Sequence, residues 1–294
     1  MNDMNGTPIS NGLTLVLGGT GKTGRRVVEG LACRGVPTRV GSRAGAPSFD
    51  WGNHSTWDAV LDGVTAVYVS YAPDLAIPGA TDSIRAFIEK AVQQGVKRLV
   101  LLSGRGEEEA QRCERIVQDA GIEWTLVRAS WFNQNFSEGA FHDMVLAGRV
   151  TLPAGNIGEP FIDADDIADV AVAALTEDGH AGQTYEVTGP RLLTFREAAA
   201  EIARASGREI QYIQVPLEAF SAGIAQSGAP DDIAWLLDYL FSTVLDGRNA
   251  CVRDGVQRAL GREPTDFAEY ARRTADSGVW GVWGVSPSHQ PAVG

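Results

Sequence analysis

The chain has 294 residues, 44% hydrophobic and 21% charged, with a formal net charge of -12. That length suits one large α/β domain with a smaller appended lobe and permits a sizeable core. The acidic balance argues against a nucleic-acid partner, whose phosphates need clustered Lys and Arg, and no apolar run reaches the ~20 residues of a membrane span.

The polar start, Met-Asn-Asp-Met-Asn-Gly, carries no apolar signal-peptide region, and Cys33, Cys113 and Cys251 lack CxxC spacing. These features predict a cytoplasmic protein with reduced, mostly buried thiols. The first predicted element is an apolar strand from Leu13 that runs into Gly18-Gly19-Thr20-Gly21-Lys22-Thr23-Gly24. A helix follows with Val27, Val28, Leu31 and Ala32 on its inner face and Arg34-Gly35 at its end. Further strands are predicted over Pro37–Gly41, Thr65–Ser70, Arg98–Ser103, Glu123–Arg128 and Gln183–Thr188. Helices are expected over Ala80–Gln94, Glu107–Ala120, Asp163–Thr176, Thr194–Ser206, Asp231–Leu245 and Thr265–Thr274.

Strands alternating with helices through short glycine turns imply βαβ crossovers, and hence a doubly wound parallel sheet of Rossmann-like type. The expected division is a flexible start at 1–11, a dinucleotide-binding domain at 12–190 and a mostly helical, substrate-covering lobe at 191–278. Residues 279–294, with a Val-Trp-Gly repeat, are expected to form a flexible tail. In a second reading Trp280 and Trp283 dock on the partner of a homodimer.

The first turn carries the chemistry. Glycines let backbone N–H groups approach a pyrophosphate, and the following helix N-terminus adds partial positive charge. Gly18-x-x-Gly21-x-x-Gly24 in a strand–turn–helix context is the spacing of extended short-chain reductases. A nucleoside-triphosphate P-loop is excluded because Val16 stands where GxxxxGK[ST] needs glycine. At the end of the second strand, where NAD-preferring folds place an acid, the chain reads Gly41-Ser42-Arg43, and no Asp or Glu occurs between Glu29 and Asp50. A guanidinium there offers paired donors to a 2′-phosphate, with Ser42 as a second donor, so NADP(H) is the expected cofactor.

From about Leu13 to Gly278 the sequence resembles the NmrA-like group of atypical short-chain dehydrogenases. The resemblance is carried by GGTGKTGRR at 18–26, Leu101-Leu102-Ser103, Gly121–Arg128 leading to Trp131–Phe136, Pro160–Asp163 with Asp166–Ala168, and Tyr185–Pro190. Gly-Lys-Thr in the turn, Phe49-Asp50-Trp51 and Thr56-Trp57 are most similar to the ergot-alkaloid reductases, the agroclavine and festuclavine dehydrogenases. The resemblance implies NADPH binding at Gly18, Thr20, Gly21, Lys22, Thr23 and Arg43. It also implies that Tyr71, Ala72, Pro73, Ser103, Trp131, Phe132 and Asn135 lie near the nicotinamide.

Ordinary members of the superfamily protonate a carbonyl with Tyr-x-x-x-Lys. Here the lysines are Lys22, Lys90 and Lys97, and Gly18, Ala86 and Gln93 stand four residues before them. The lysine that many NmrA-like reductases carry ahead of Glu114 is also missing, since 110–112 read Ala-Gln-Arg. Reduction of an iminium ion needs no acid, and a quinone or conjugated carbonyl gives a delocalised anion, so these small organic acceptors of secondary metabolism are the expected substrates. A non-catalytic NADP(H)-binding sensor or regulator is the competing reading.

Ser103 and Tyr71 are the candidate catalytic residues. Ser103 either bonds nicotinamide ribose or substrate, or is a strand-end hydroxyl; Tyr71 either lines the cofactor or gives up a proton. Glu107, Glu108 and Glu109 read as a solvated helix start, Asp166 as a helix-capping or orienting residue, and His142 as structural. His54, His142, His180 and His289 show no metal-binding spacing, and no GxSxG nucleophile occurs.

Overall fold

Leu15, Val16 and Leu17 are wholly buried in β1 (Leu13–Leu17), which hands directly to α1 (Lys22–Cys33) through the glycine turn. This is a computed structural model, and it describes residues 12–281. In chain order follow β2 (Thr38–Gly41), α2 (Trp57–Leu61), β3 (Val64–Val69), α3 (Ala80–Gln93), β4 (Arg98–Gly104), α4 (Glu108–Gln118) and β5 (Glu123–Ala129). Next come α5 (His142–Leu146), β6 (Arg149–Leu152), α6 (Ala164–Thr176), β7 (Gln183–Val187), α7 (Phe195–Ser206) and β8 (Gln211–Gln214). The last elements are α8 (Leu217–Gln226), α9 (Asp231–Tyr239), α10 (Gly255–Leu260) and α11 (Phe267–Asp276).

Six strands form one parallel sheet in the order β2-β1-β3-β4-β5-β7. Strand residues alternate between its two faces. Leu15, Leu17, Val67 and Leu99 pack with Ile84, Phe87 and Val117 from α3 and α4, while Val16, Tyr68 and Val100 pack with Val27, Ile167 and Val170 from α1 and α6. The chain reverses direction of winding at β1, between β2 and β3, and ligands of such sheets lie outside the strand ends at that reversal.

The second lobe has an aromatic core of Phe136, Phe141, Phe161, Phe195, Phe241, Phe267 and Trp280. Several of these come from within 12–190, so that lobe is assembled from both sides of the expected boundary at 190. It also contains a two-stranded parallel sheet, β6 with β8, that was not expected from the sequence. Trp280 corrects the tail boundary: its ring is wholly buried, stands edge-on to Tyr270, and its Nε1 donates to the Phe136 carbonyl at 2.9 Å. The expected flexible start at 1–11, Trp283 and the remainder of the expected tail lie outside the described residues.

Other expectations are refined. The helix foreseen over Asp231–Leu245 is α9 followed by a π-turn at Leu240–Val244. Asp163, rather than Asp166, caps α6 by accepting from the Asp165 N–H, whereas Asp166 ties α6 to Arg262 and to the Thr265 N–H. His142 is half-buried, with a 3.4 Å contact to the Val279 carbonyl and its Nδ1 3.9 Å from Asp143 Oδ1. All three thiols are free; Cys113 is buried, Cys251 half-buried, and Cys33 exposed rather than buried as expected. Among the described residues, no helix is long and apolar enough to cross a membrane.

Candidate active site

A cleft of about 840 Å³ opens over the C-terminal ends of β1 to β5. Every residue anticipated for the site lines it: Gly18, Thr20, Gly21, Lys22, Thr23, Ser42, Arg43, Tyr71, Ala72, Pro73, Ser103, Trp131, Phe132 and Asn135. At its phosphate end, Gly18 takes a left-handed φ of 63° and the Gly21 N–H donates to its carbonyl at 2.8 Å. Helix α1 then passes so close that a Cβ on Gly24 would stand 2.1 Å from the Gly18 oxygen. Among the described residues no side chain caps α1, and no acid stands in its first turn. Its leading N–H groups and positive dipole end are thus left for an anion.

Three side chains fix this end. The buried Thr23 hydroxyl accepts from Tyr68 at 3.0 Å, which leaves its own O–H proton free to donate. Lys22 Nζ donates to Asn135 Oδ1 at 2.9 Å, joining the glycine turn to the loop after β5. Burial pushes the Lys22 pKa down, against the attraction of Glu138. Beyond β2, the Ser42 carbonyl accepts from the Gly45 and Phe49 N–H groups, and Arg43 stands exposed on the cleft rim. Asp50 also lines this end, with its Oδ1 accepting from the Gly52 N–H in a local turn. An uncapped helix start, a turn without β-carbons and a rim guanidinium suit the pyrophosphate and 2′-phosphate of a nicotinamide dinucleotide.

At the other end, the half-buried Tyr71 ring tilts against Trp51 at 4.8 Å, and its hydroxyl is 3.5 Å from Ser83 Oγ. Ser103, buried at the end of β4, donates to Glu114 at 2.6 Å; Glu114 also accepts from Arg128 Nε at 2.9 Å. The serine proton is therefore committed inside the protein, leaving only oxygen lone pairs for a ligand. Trp131 is a wall of the cleft, stacked on Phe141 and edge-on to Phe195. Helix α9 and the π-turn close the cleft with Ile233, Leu236, Leu237 and Leu240.

Sequence reasoning missed the ionisable groups here. Glu107 is buried rather than solvated, whereas Glu108 is exposed and Glu109 half-buried. The Glu107 carboxyl fills the space left by the missing side chain of Gly104, where a Cβ would lie 2.2 Å from its Oε1. Burial and the neighbouring Asp74 raise the Glu107 pKa well above the carboxylate range, and burial raises Asp74 too. Each of the two opposes the ionisation of the other. Glu159, also on the cleft, is wholly buried, and burial pushes its carboxyl up to about 7 against the opposing pull of Arg105 and Ser130. The one available signal was an isolated acid beside the apolar Pro160-Phe161-Ile162 run.

A protein-family profile described as NAD(P)H-binding matches residues 18–178. The chain is 32% identical to an NAD(P)H azoreductase of Xenophilus azovorans, over 90% of this chain and 98% of that one. It is 31% identical to an agroclavine dehydrogenase of Claviceps fusiformis, with the same coverage. In fold it matches an NADPH-dependent quinone oxidoreductase of Escherichia coli solved with NADPH. The TM-score is 0.75 and the identity 24%, over 88% of this chain and 99% of that one. With the cleft geometry, these matches show that the chain belongs to the NAD(P)H-binding family and is an NAD(P)H-dependent oxidoreductase.

Proposed function

We propose that this enzyme prefers NADPH and reduces a small organic acceptor, an iminium ion, quinone or conjugated carbonyl, without a Tyr–Lys acid pair. The observation that carries the proposal is the continuity of the cleft: it runs from the glycine turn past Ser103 into an apolar chamber under α9, with ionisable groups in its wall. A sensor needs the first half of that cleft but not the second. The azoreductase and clavine dehydrogenase relatives support a conjugated or C=N acceptor.

When bound, NADPH supplies a hydride. The chain's own residues position and shield. The α1 N-terminus and Lys22 would hold the pyrophosphate, and Arg43 with Ser42 would take the 2′-phosphate. Trp131, Phe141 and Leu236 exclude water from the acceptor, which strengthens electrostatic effects at the reacting atoms.

NADPH oxidation measured against a panel of cyclic iminium ions, quinones and enones tests the proposal. Turnover on at least one class is expected, and stoichiometric cofactor binding with none would favour a sensor. Within the same assay, Tyr71→Phe should keep most of its turnover, because the phenol is engaged with Trp51 and lies near Ser83. A loss of about 100-fold, the ordinary contribution of a general acid, would instead make Tyr71 the proton donor.

A further inference from the structure

Neutral acceptors need a proton that an iminium ion does not, and the cleft wall holds a buried carboxyl that burial keeps ready to carry it. Glu159 has no exposed surface as a residue, yet it borders the cleft; among the described residues neither of its carboxyl oxygens makes a well-formed hydrogen bond, and the Ser130 hydroxyl is the polar group that acts on them. Its backbone is held on both sides: its N–H donates to the Leu193 carbonyl at 2.9 Å, and its carbonyl accepts from the Leu193 N–H at 3.0 Å. The side chain therefore stands at a fixed place near the residues that follow β4 and β5, beyond which the nicotinamide ring of such folds lies.

The groups facing it come from every wall. Arg105 approaches from the loop after β4, Ser130 from the end of β5, and Asp246 from the segment after the π-turn. Arg105 is itself shared among the carbonyls of Asn249 and Cys251, each at 3.3 Å, and the Glu186 carboxylate at 3.6 Å. Its charge is thus only partly available to Glu159, and Asp246 opposes it. Asp74 and Glu107 act on each other, whereas the acid acting on Glu159 is Asp246.

We propose that Glu159 is the proton donor for conjugated carbonyl acceptors, quinones included. This rests on the reductase reading above. As a hydride from the reduced nicotinamide adds at the electrophilic carbon, the displaced π pair moves onto the carbonyl oxygen. The Glu159 side chain, whose oxygens are covered in this structure, turns into the cleft; its O–H bond breaks and a new O–H bond forms on that oxygen. Two electrons pass to the acceptor, and Glu159 changes only its protonation. The carboxylate left behind is stabilised by the Arg105 guanidinium and regains a proton from water when product leaves.

The first test uses the protein without cofactor. Infrared difference spectra of the wild type minus Glu159→Gln should contain a protonated-carboxyl band at acid pH that disappears as pH rises through about 7. In turnover, Glu159→Gln should lower the ratio of quinone or enone reduction to iminium reduction by about 100-fold, the usual size of general-acid catalysis. Because only the acid form donates, wild-type kcat on a neutral acceptor should fall as pH rises past about 7, and this limb should vanish in the variant. If the glutamine variant folds poorly, Glu159→Asp, which keeps an acid, decides the matter: the limb should remain with a shifted midpoint, and an unshifted limb would assign it to Asp74 or Glu107 and overturn the proposal. No titrating band, a flat wild-type profile, an equal loss on both acceptor classes, or a wild type confined to iminium ions would each overturn the assignment. A wild type inert towards the whole panel would overturn the reductase reading itself.

Discussion

Gly24→Ala should abolish measurable NADPH binding and destabilise the fold by roughly 3 kcal/mol, the range of a forced overpacking against unyielding neighbours. The added Cβ would stand 2.1 Å from the Gly18 oxygen and 2.6 Å from its carbonyl carbon. Both are backbone atoms, so no rotamer change relieves the clash. Either α1 retreats from β1 or the turn opens, and each movement carries the leading N–H groups away from the pyrophosphate. Thermal unfolding and titration calorimetry read the two consequences separately. A variant that binds NADPH as tightly as the wild type would show that the close approach of α1 to Gly18 is not what builds the anion site.

Arg43→Ala should weaken NADPH about thirtyfold, roughly 2 kcal/mol for a charge-assisted phosphate contact, and leave NADH affinity nearly unchanged. The site is exposed, so solvent screens it, and the gap between the two cofactors should narrow as salt is raised. Equal weakening of both would assign Arg43 to general electrostatics or to fold rather than to the 2′-phosphate. Loss of neither would move the phosphate contact elsewhere on the rim.

The parts of this protein that local rules govern were legible in its sequence. An apolar strand, a turn of glycines and an amphipathic helix must follow one another in that order at 13–33, and the structure differs from the sequence reading there by little more than helix ends. The strands at Thr65, Arg98 and Glu123 announce themselves as apolar runs closed by turn residues, so the sheet and the position of the cleft above it followed. Ser103 was placed at the right strand end, but its bond to Glu114 and the link onward to Arg128 depend on packing between elements.

What was not legible shares one cause: burial that only tertiary structure decides. Strand β8 is four residues long with only Tyr212 and Ile213 apolar, so nothing local distinguishes it from a loop until β6 lies beside it. Glu107 reads as a favourable first-turn acid, and only the empty side-chain position of Gly104 shows where its carboxyl goes. Glu159 looks like a surface charge between loops until the lobe folds over it. Trp280 sits in a repeat that resembles a tail, whereas the cavity receiving its ring is made by Phe136 and Tyr270 from distant parts of the chain.

A crystal structure with bound NADP⁺ tests the central claim most directly. The diphosphate should lie on the Gly18–Gly24 turn, with the 2′-phosphate within paired hydrogen-bond reach of Arg43. The nicotinamide C4 should face open space bounded by Tyr71, Trp131 and Glu159. A nicotinamide ring covered on its reactive face by the protein, or a dinucleotide seated away from the glycine turn, would contradict the account.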